Sequence, residues 1–199
     1  MWNIIWFILV VLSVVAFGAA VLAIYNNLIG LRNRVENDWF QINVELERRA
    51  SLIENLVETV KGYVEHEKTT LKEVTKALFN LIDAETVKEN ANANRQLTES
   101  LKSLFVVLEN YPSLKADKSF GELMEQLDET EDVIAEYREF YNDMVYIYNN
   151  KCQVFPSNLV ANYFNFKEVE FFEPGEGATS IQGVEFDASL PEGEYTPQE

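Results

Sequence analysis

Residues 2–25 read WNIIWFILVVLSVVAFGAAVLAIY, and the first charged side chain of the protein is Arg32. A bilayer core of roughly 30 Å is crossed by about 20 helical residues, so this run is long enough to span. A helix satisfies its own backbone hydrogen bonds in lipid, which is why such a segment crosses as a helix. Trp2, Trp6 and Tyr25 lie near its two ends, where amphipathic rings meet the headgroups. A cleaved secretory signal would need a basic leader, a short apolar core and a small-residue cleavage site. Met1-Trp2-Asn3 has no Lys or Arg, and Phe17-Gly18-Ala19-Ala20 falls in the middle of the run. The expectation is a retained transmembrane anchor over residues 1–27.

Working outward, apolar residues recur in steps of three and four: Leu28, Leu31, Val35, Trp39, Ile42, Leu46, Ile53, Leu56 and Val60. This is the seam of a helix packed lengthwise on others. Neither proline nor glycine lies between Leu31 and Lys61, so the span is expected to continue as one rod into the following domain. Gly30 is its weak point. The seam is expected to be interrupted at Arg48-Arg49-Ala50 by basic side chains.

Gly62 suggests a kink or an end. A second helix is expected around Leu71, Val74, Leu78 and Leu81. Residues 84–94, with Asn90, Asn92 and Asn94 among alanines, read as a loop or a frayed connection. A third helix is expected from Arg95 to Leu108, stopped by Tyr111-Pro112. Ser119 and Glu122 form a capping-box pattern that would open a fourth helix. That helix carries Phe120, Leu127, Ile134, Tyr141 and Tyr148 and ends before Phe155-Pro156. Residues 167–199 hold one Lys, nine Asp/Glu and many turn formers, which argues against a packed domain. Phe171-Phe172 are expected to dock on the bundle. The fold class is all-α: an anchor continuing into an elongated antiparallel bundle of about four long helices over residues 28–172, with an acidic disordered tail over 173–199.

The net charge is −17. An acidic surface repels nucleic acid and anionic headgroups, so no nucleic-acid partner is expected. Cys152 is the single cysteine, which excludes an internal disulfide and a Cys-based metal site.

Several of these residues resemble the LemA family signature. They are Tyr25-Asn26, Leu31-Arg32-Asn33-Arg34-Val35, Trp39, Gln41-Ile42, Arg48-Arg49, Asn55-Leu56-Val57-Glu58 and Val60-Lys61-Gly62-Tyr63 with His66-Glu67. The later half agrees through Tyr111-Pro112, Leu114-Lys115-Ala116, Arg138, Tyr141-Asn142, Tyr148-Asn149 and Phe155-Pro156. The family usually has proline where this chain has Glu54, and alanine where it has Asp38, so a kink at Glu54 is not expected. The resemblance implies a bacterial membrane protein with one N-terminal span, an elongated helical domain and no catalytic residue. In some genomes the family is linked to membrane proteases, which makes such a protease a candidate partner. Because basic residues stay in the cytoplasm, Arg32 and Arg34 favour a single-pass inner-membrane protein with its N-terminus out. The opposite topology has a precedent in relatives that carry a lipoprotein cysteine.

His66 with Glu65, Glu67 and Glu73 is the only constellation from which a metal-dependent enzyme could be built. One histidine is fewer than a zinc site uses, and Glu65 and Glu67 would point to different helix faces. No cofactor or metal is expected. Arg48 and Arg49 allow two readings, an ion pair with Glu129, Glu131 or Asp132, or solvated guanidinium groups. Trp39 is expected in the core. Asn142 and Asn149 lie seven apart and share a helix face. Buried, they would need partners and could set register. No phosphate loop, nucleophile elbow or dinucleotide fingerprint occurs. The function expected is a non-catalytic scaffold or adaptor that binds the lipid bilayer and proteins and self-associates as a homo-oligomer. A bilayer-shaping coiled-coil protein is the alternative.

Overall fold

The computed structural model describes residues 2–63 and 67–172. The acidic tail over 173–199 and His66 lie outside the described residues. Six helices follow one another: α1 (Trp2–Lys61), α2 (Lys68–Ile82), α3 (Val87–Leu108), α4 (Pro112–Lys115), α5 (Lys118–Gln153) and α6 (Ser157–Tyr163). Four are long, two are short turns of helix, and the described residues contain no strand.

The anchor and the first helix of the bundle are one element. α1 runs unbroken for 60 residues, through Gly30 and through Glu54. None of the residues in its membrane-spanning window is buried, so the first third of α1 stands free of the bundle, as a span in lipid must. From Leu28 onward α1 buries one stripe: Leu28, Val35, Ile42, Leu46, Arg49, Ile53, Leu56 and Val60. α5 packs antiparallel along this stripe, while α2 and α3 pair with each other as a hairpin against the distal half of α1. Leu97, Leu104 and Ile134 fill the space between them and are fully buried. Each such side chain contributes roughly 1.5–3 kcal/mol relative to exposure.

Three expectations are corrected. The seam of α1 does not break at residues 48–50. Arg49 and Ala50 are buried, and Arg49 occupies the seam position between Leu46 and Ile53, because its charge finds partners inside the bundle. Residues 87–94 are helix rather than loop. The reason lies at the start of α3, where the Thr86 hydroxyl accepts from the Glu89 N–H and the Glu89 carboxylate accepts from the Thr86 N–H. That capping box nucleates the turn, and Asn90 satisfies its buried amide on the Ala84 and Thr86 carbonyls. The third correction is at α5, which is capped by Asp117 and not by Ser119. The Asp117 carboxylate accepts from the Ser119 and Phe120 N–H groups, and Glu122 pairs with Lys118 instead.

After α5 the chain turns at Phe155-Pro156, a cis peptide bond, into α6. Asn165 then adopts a left-handed conformation, φ 59°. The Phe166 N–H reaches back to the Ala161 carbonyl at 2.9 Å. This is a Schellman closure with Asn as the residue that tolerates positive φ. It reverses the chain, and residues 167–172 run back along α5 as an extended strap.

Candidate functional site

The polar chemistry of the molecule collects in two places, the strap and the bundle interior. The strap is held by a repeated Tyr-Asn pair on α5. Asn149 donates to the Val169 carbonyl and accepts from the Val169 N–H, both at 2.9 Å. Asn142 does the same to Phe172, at 3.0 and 2.8 Å. The Tyr148 hydroxyl donates to the Lys167 carbonyl and the Tyr141 hydroxyl to the Glu170 carbonyl. The spacing has a physical cause. Seven residues of helix rise ~10.5 Å, and three residues of extended chain cover ~10 Å. A heptad on α5 therefore stays in register with every third peptide group of the strap. Each Asn binds a strap residue as a neighbouring β-strand would, which satisfies backbone that has no sheet to join.

The strap ends on an aromatic cluster. Phe172 is 1% exposed. Trp39, half-buried, lies 5.7 Å from the Tyr141 ring and 6.0 Å from that of Phe172. Burial pushes the Tyr141 hydroxyl up to about 12, helped by the charge of Glu170. The Tyr148 hydroxyl is likewise pushed up to about 12, by burial first and then by Cys152. Both stay neutral and remain donors. Between α1 and the strap lies a cleft of about 400 Å³ whose walls include Arg32, Glu36, Trp39, Tyr141, Tyr148 and Lys167. The Arg32–Glu36 pair, 2.9 Å, stands on its rim.

Inside the bundle Arg49 is 4% exposed. It donates to the Asn94 side-chain oxygen and, at 3.0 Å, to the Thr98 hydroxyl. The nitrogen that donates to Thr98 also lies 2.7 Å from a Glu131 carboxylate oxygen. That oxygen has no hydrogen bond of directed geometry, so the attraction is between charges. Burial pushes the Arg49 guanidinium below its ordinary value, and Glu131 opposes this. One residue thus ties α1 to both α3 and α5. Arg48 points outward and lies 3.7 Å from Glu45.

Of the residues singled out in the sequence, Arg49, Trp39, Asn142 and Asn149 each sit at a junction between elements, and Arg48 does not. Asn142 and Asn149 act together with Trp39 around the strap, while Arg49 lies apart. His66 is outside the described residues. Glu65 is outside them as well, and Glu67 precedes the first turn of α2. Tyr141, Tyr148, Asn94, Thr98 and Glu131 complete the two sites. The doubled Tyr-Asn dipeptide was a visible signal for the first of them. Among the described residues no group of three His, Cys, Asp or Glu side chains converges as a metal site requires.

A long apolar helix, continuous with an antiparallel bundle closed by an extended strap, defines the class: a membrane-associated helical protein with, among the described residues, one helix long and apolar enough to span. The LemA family model matches residues 38–186, three quarters of the sequence, and the chain belongs to that family. It is 26% identical to Protein LemA of Metamycoplasma hominis, over 82% of this chain and 74% of that protein. It is also 26% identical to Magnetosome protein MamQ 2 of Paramagnetospirillum magneticum, over 82% and 70%. Magnetosome protein MamQ of Magnetospirillum gryphiswaldense is 24% identical, over 86% and 73%. None of these names is that of an enzyme.

Proposed function

We propose that the protein is a non-catalytic, membrane-anchored scaffold that binds other proteins and associates with itself. The observation that carries this reading is the unbroken α1. A flexible tether would leave the bundle free to tumble. A continuous helix instead fixes its height and rotation above the bilayer, which is useful to a protein that presents a surface. Apolar residues on the outside of the bundle supply such surfaces. Phe140 and Ile147, 50% and 42% exposed, share a face of α5. Phe40 and Val44, 62% and 42% exposed, share one of α1. Isolated exposed apolar residues are ordinary, but paired ones at helical spacing are what helix-to-helix association uses. Arg32 and Arg34, just past the span, favour a cytoplasmic bundle and an N-terminus outside the bacterial plasma membrane. A membrane protease remains a candidate partner.

Cross-linking in intact membranes tests the reading. Dimers or larger species, with a captured partner above background, are expected. A monomer that captures nothing overturns it. Reporters fused after Glu199 decide the topology. The magnetosome names of two relatives favour a second reading, in which assembled rods shape the bilayer. Liposomes carrying the purified protein would then deform or show filaments by electron microscopy, and smooth liposomes would count against it.

A further inference from the structure

The chain contains a second long stretch without charge. Between Lys151 and Lys167 lies CQVFPSNLVANYFNF, residues 152–166, in a protein where a quarter of the residues are charged. The fold places this stretch beside the exit of the span. α6 packs on α1, and the ring of Tyr25 lies 4.7 Å from Phe164 and 5.7 Å from Phe166. Val21 and Ile24 are partly covered by the bundle, and Leu28 is fully buried. A core of ~30 Å takes about 20 residues, so a span starting near Ile4 leaves the hydrocarbon close to Ile24. The covered residues of α1 are therefore at the boundary of the acyl chains, and α6 is at that depth with them.

α6 also exposes large apolar side chains that a helix in water would cover. Its buried side holds Ser157, Val160 and Ala161. Its outer side shows Leu159 at 60% and Tyr163 at 83% exposed, preceded by Phe155 at 78% and followed by Phe164 at 46%. Leu159 and Tyr163 are spaced by four and so fall on one face of α6, and Phe155 stands exposed in the turn before it. Aromatic and aliphatic side chains at headgroup level, flanked by lysines, are what an interfacial segment presents to lipid.

We propose that the α5–α6 corner, residues 154–164, is a second membrane contact: a neutral apolar foot that enters the interface of the bilayer beside α1. With one helix through the bilayer and this foot resting in it, the bundle is held at two points, so both its tilt and its rotation are fixed. The foot carries no charge, so it engages a zwitterionic surface, although the chain as a whole is strongly acidic.

The test uses the full chain in phosphatidylcholine nanodiscs, one chain per disc. In a Cys152→Ser background, a fluorescent nitrobenzoxadiazole label is placed at Leu159→Cys, Tyr163→Cys or, as a control at the far end of the bundle, Val106→Cys. Val106 is 67% exposed, and the labelled side chains face outward, so the fold tolerates them. Labels at 159 and 163 are expected to be quenched by doxyl lipids and protected from aqueous iodide, with the reverse at 106. If labels at 159 and 163 are quenched by iodide as strongly as at 106, the foot is in water and the proposal fails. If both quenchers are excluded, the surface is covered by protein, and the proposal fails equally.

Discussion

Replacing Asn149 by alanine tests the strap directly. The substitution removes both hydrogen bonds to Val169, each 2.9 Å long. A net hydrogen bond contributes about 1 kcal/mol, so the pair holds the strap by roughly 2 kcal/mol. At 1.36 kcal/mol per decade that corresponds to about a 30-fold change in the local opening equilibrium. The assay is amide hydrogen exchange on the full chain in detergent micelles, read at single residues. The Val169 amide donates only to Asn149 and should exchange about 30-fold faster. The Phe172 amide, held by Asn142, reports whether the strap opens as a unit. If it does, Phe172 accelerates with Val169, and adding Asn142→Ala removes a similar increment again. Amides of Ile53 and Leu56 inside α1 should not change. Unchanged protection at Val169 would refute the reasoning, because the Asn pairs would then be incidental. A uniform loss of protection across α1 would also refute it, since the strap would then not be a separate closure.

Other perturbations separate the remaining contributions. Glu131→Ala leaves a buried guanidinium with only Asn94 and Thr98, and should lower the urea stability by about 2 kcal/mol. This is less than for a fully buried pair, because the Glu131 side chain is 45% exposed and partly screened. Arg49→Met should cost less than Glu131→Ala, because it removes the charge along with its need for a partner. Tyr141 and Tyr148 have hydroxyls raised to about 12, so their contribution is complete below the ordinary value near 10 and is lost as pH rises towards 12. Tyrosinate absorbance and strap exchange should therefore change together in that window, and Tyr141→Phe with Tyr148→Phe should abolish the coupling. Gly30 has no atom within 4 Å of where a Cβ would stand. Gly30→Ala should then stabilise α1 by about 1 kcal/mol, whereas Gly30→Pro should break the rod and reduce helicity by circular dichroism.

Much of this architecture was legible from residue spacing. Charge-free length decided the span, and steps of three and four decided α1 and α5, because a helix that buries one face must repeat near 3.6 residues. The reading failed where a local signal has two meanings. Asn90 and Asn94 belong to loops by composition, yet here they are helical, since their amides are satisfied by the Thr86 turn and by Arg49. Ser119 matched a cap, but it lies inside the first turn, and the carboxylate of Asp117 accepts from its N–H and from that of Phe120.

The sequence by itself determined that this chain opens on a helix long and apolar enough to span, that α1 runs without a break into a helical bundle, and that the family is LemA. Periodicity and uncharged length are properties of neighbouring residues, so they can be read without folding the chain. Only the tertiary structure decided that Arg49 belongs to the core, that a doubled Tyr-Asn pair grips the backbone of residues 167–172, and that a second uncharged stretch stands beside the first. Those facts depend on which distant segments meet. A hydrogen bond between Asn149 and Val169, or a ring of Phe164 against Tyr25, exists only once α5 has packed along α1 and the chain has turned back on itself.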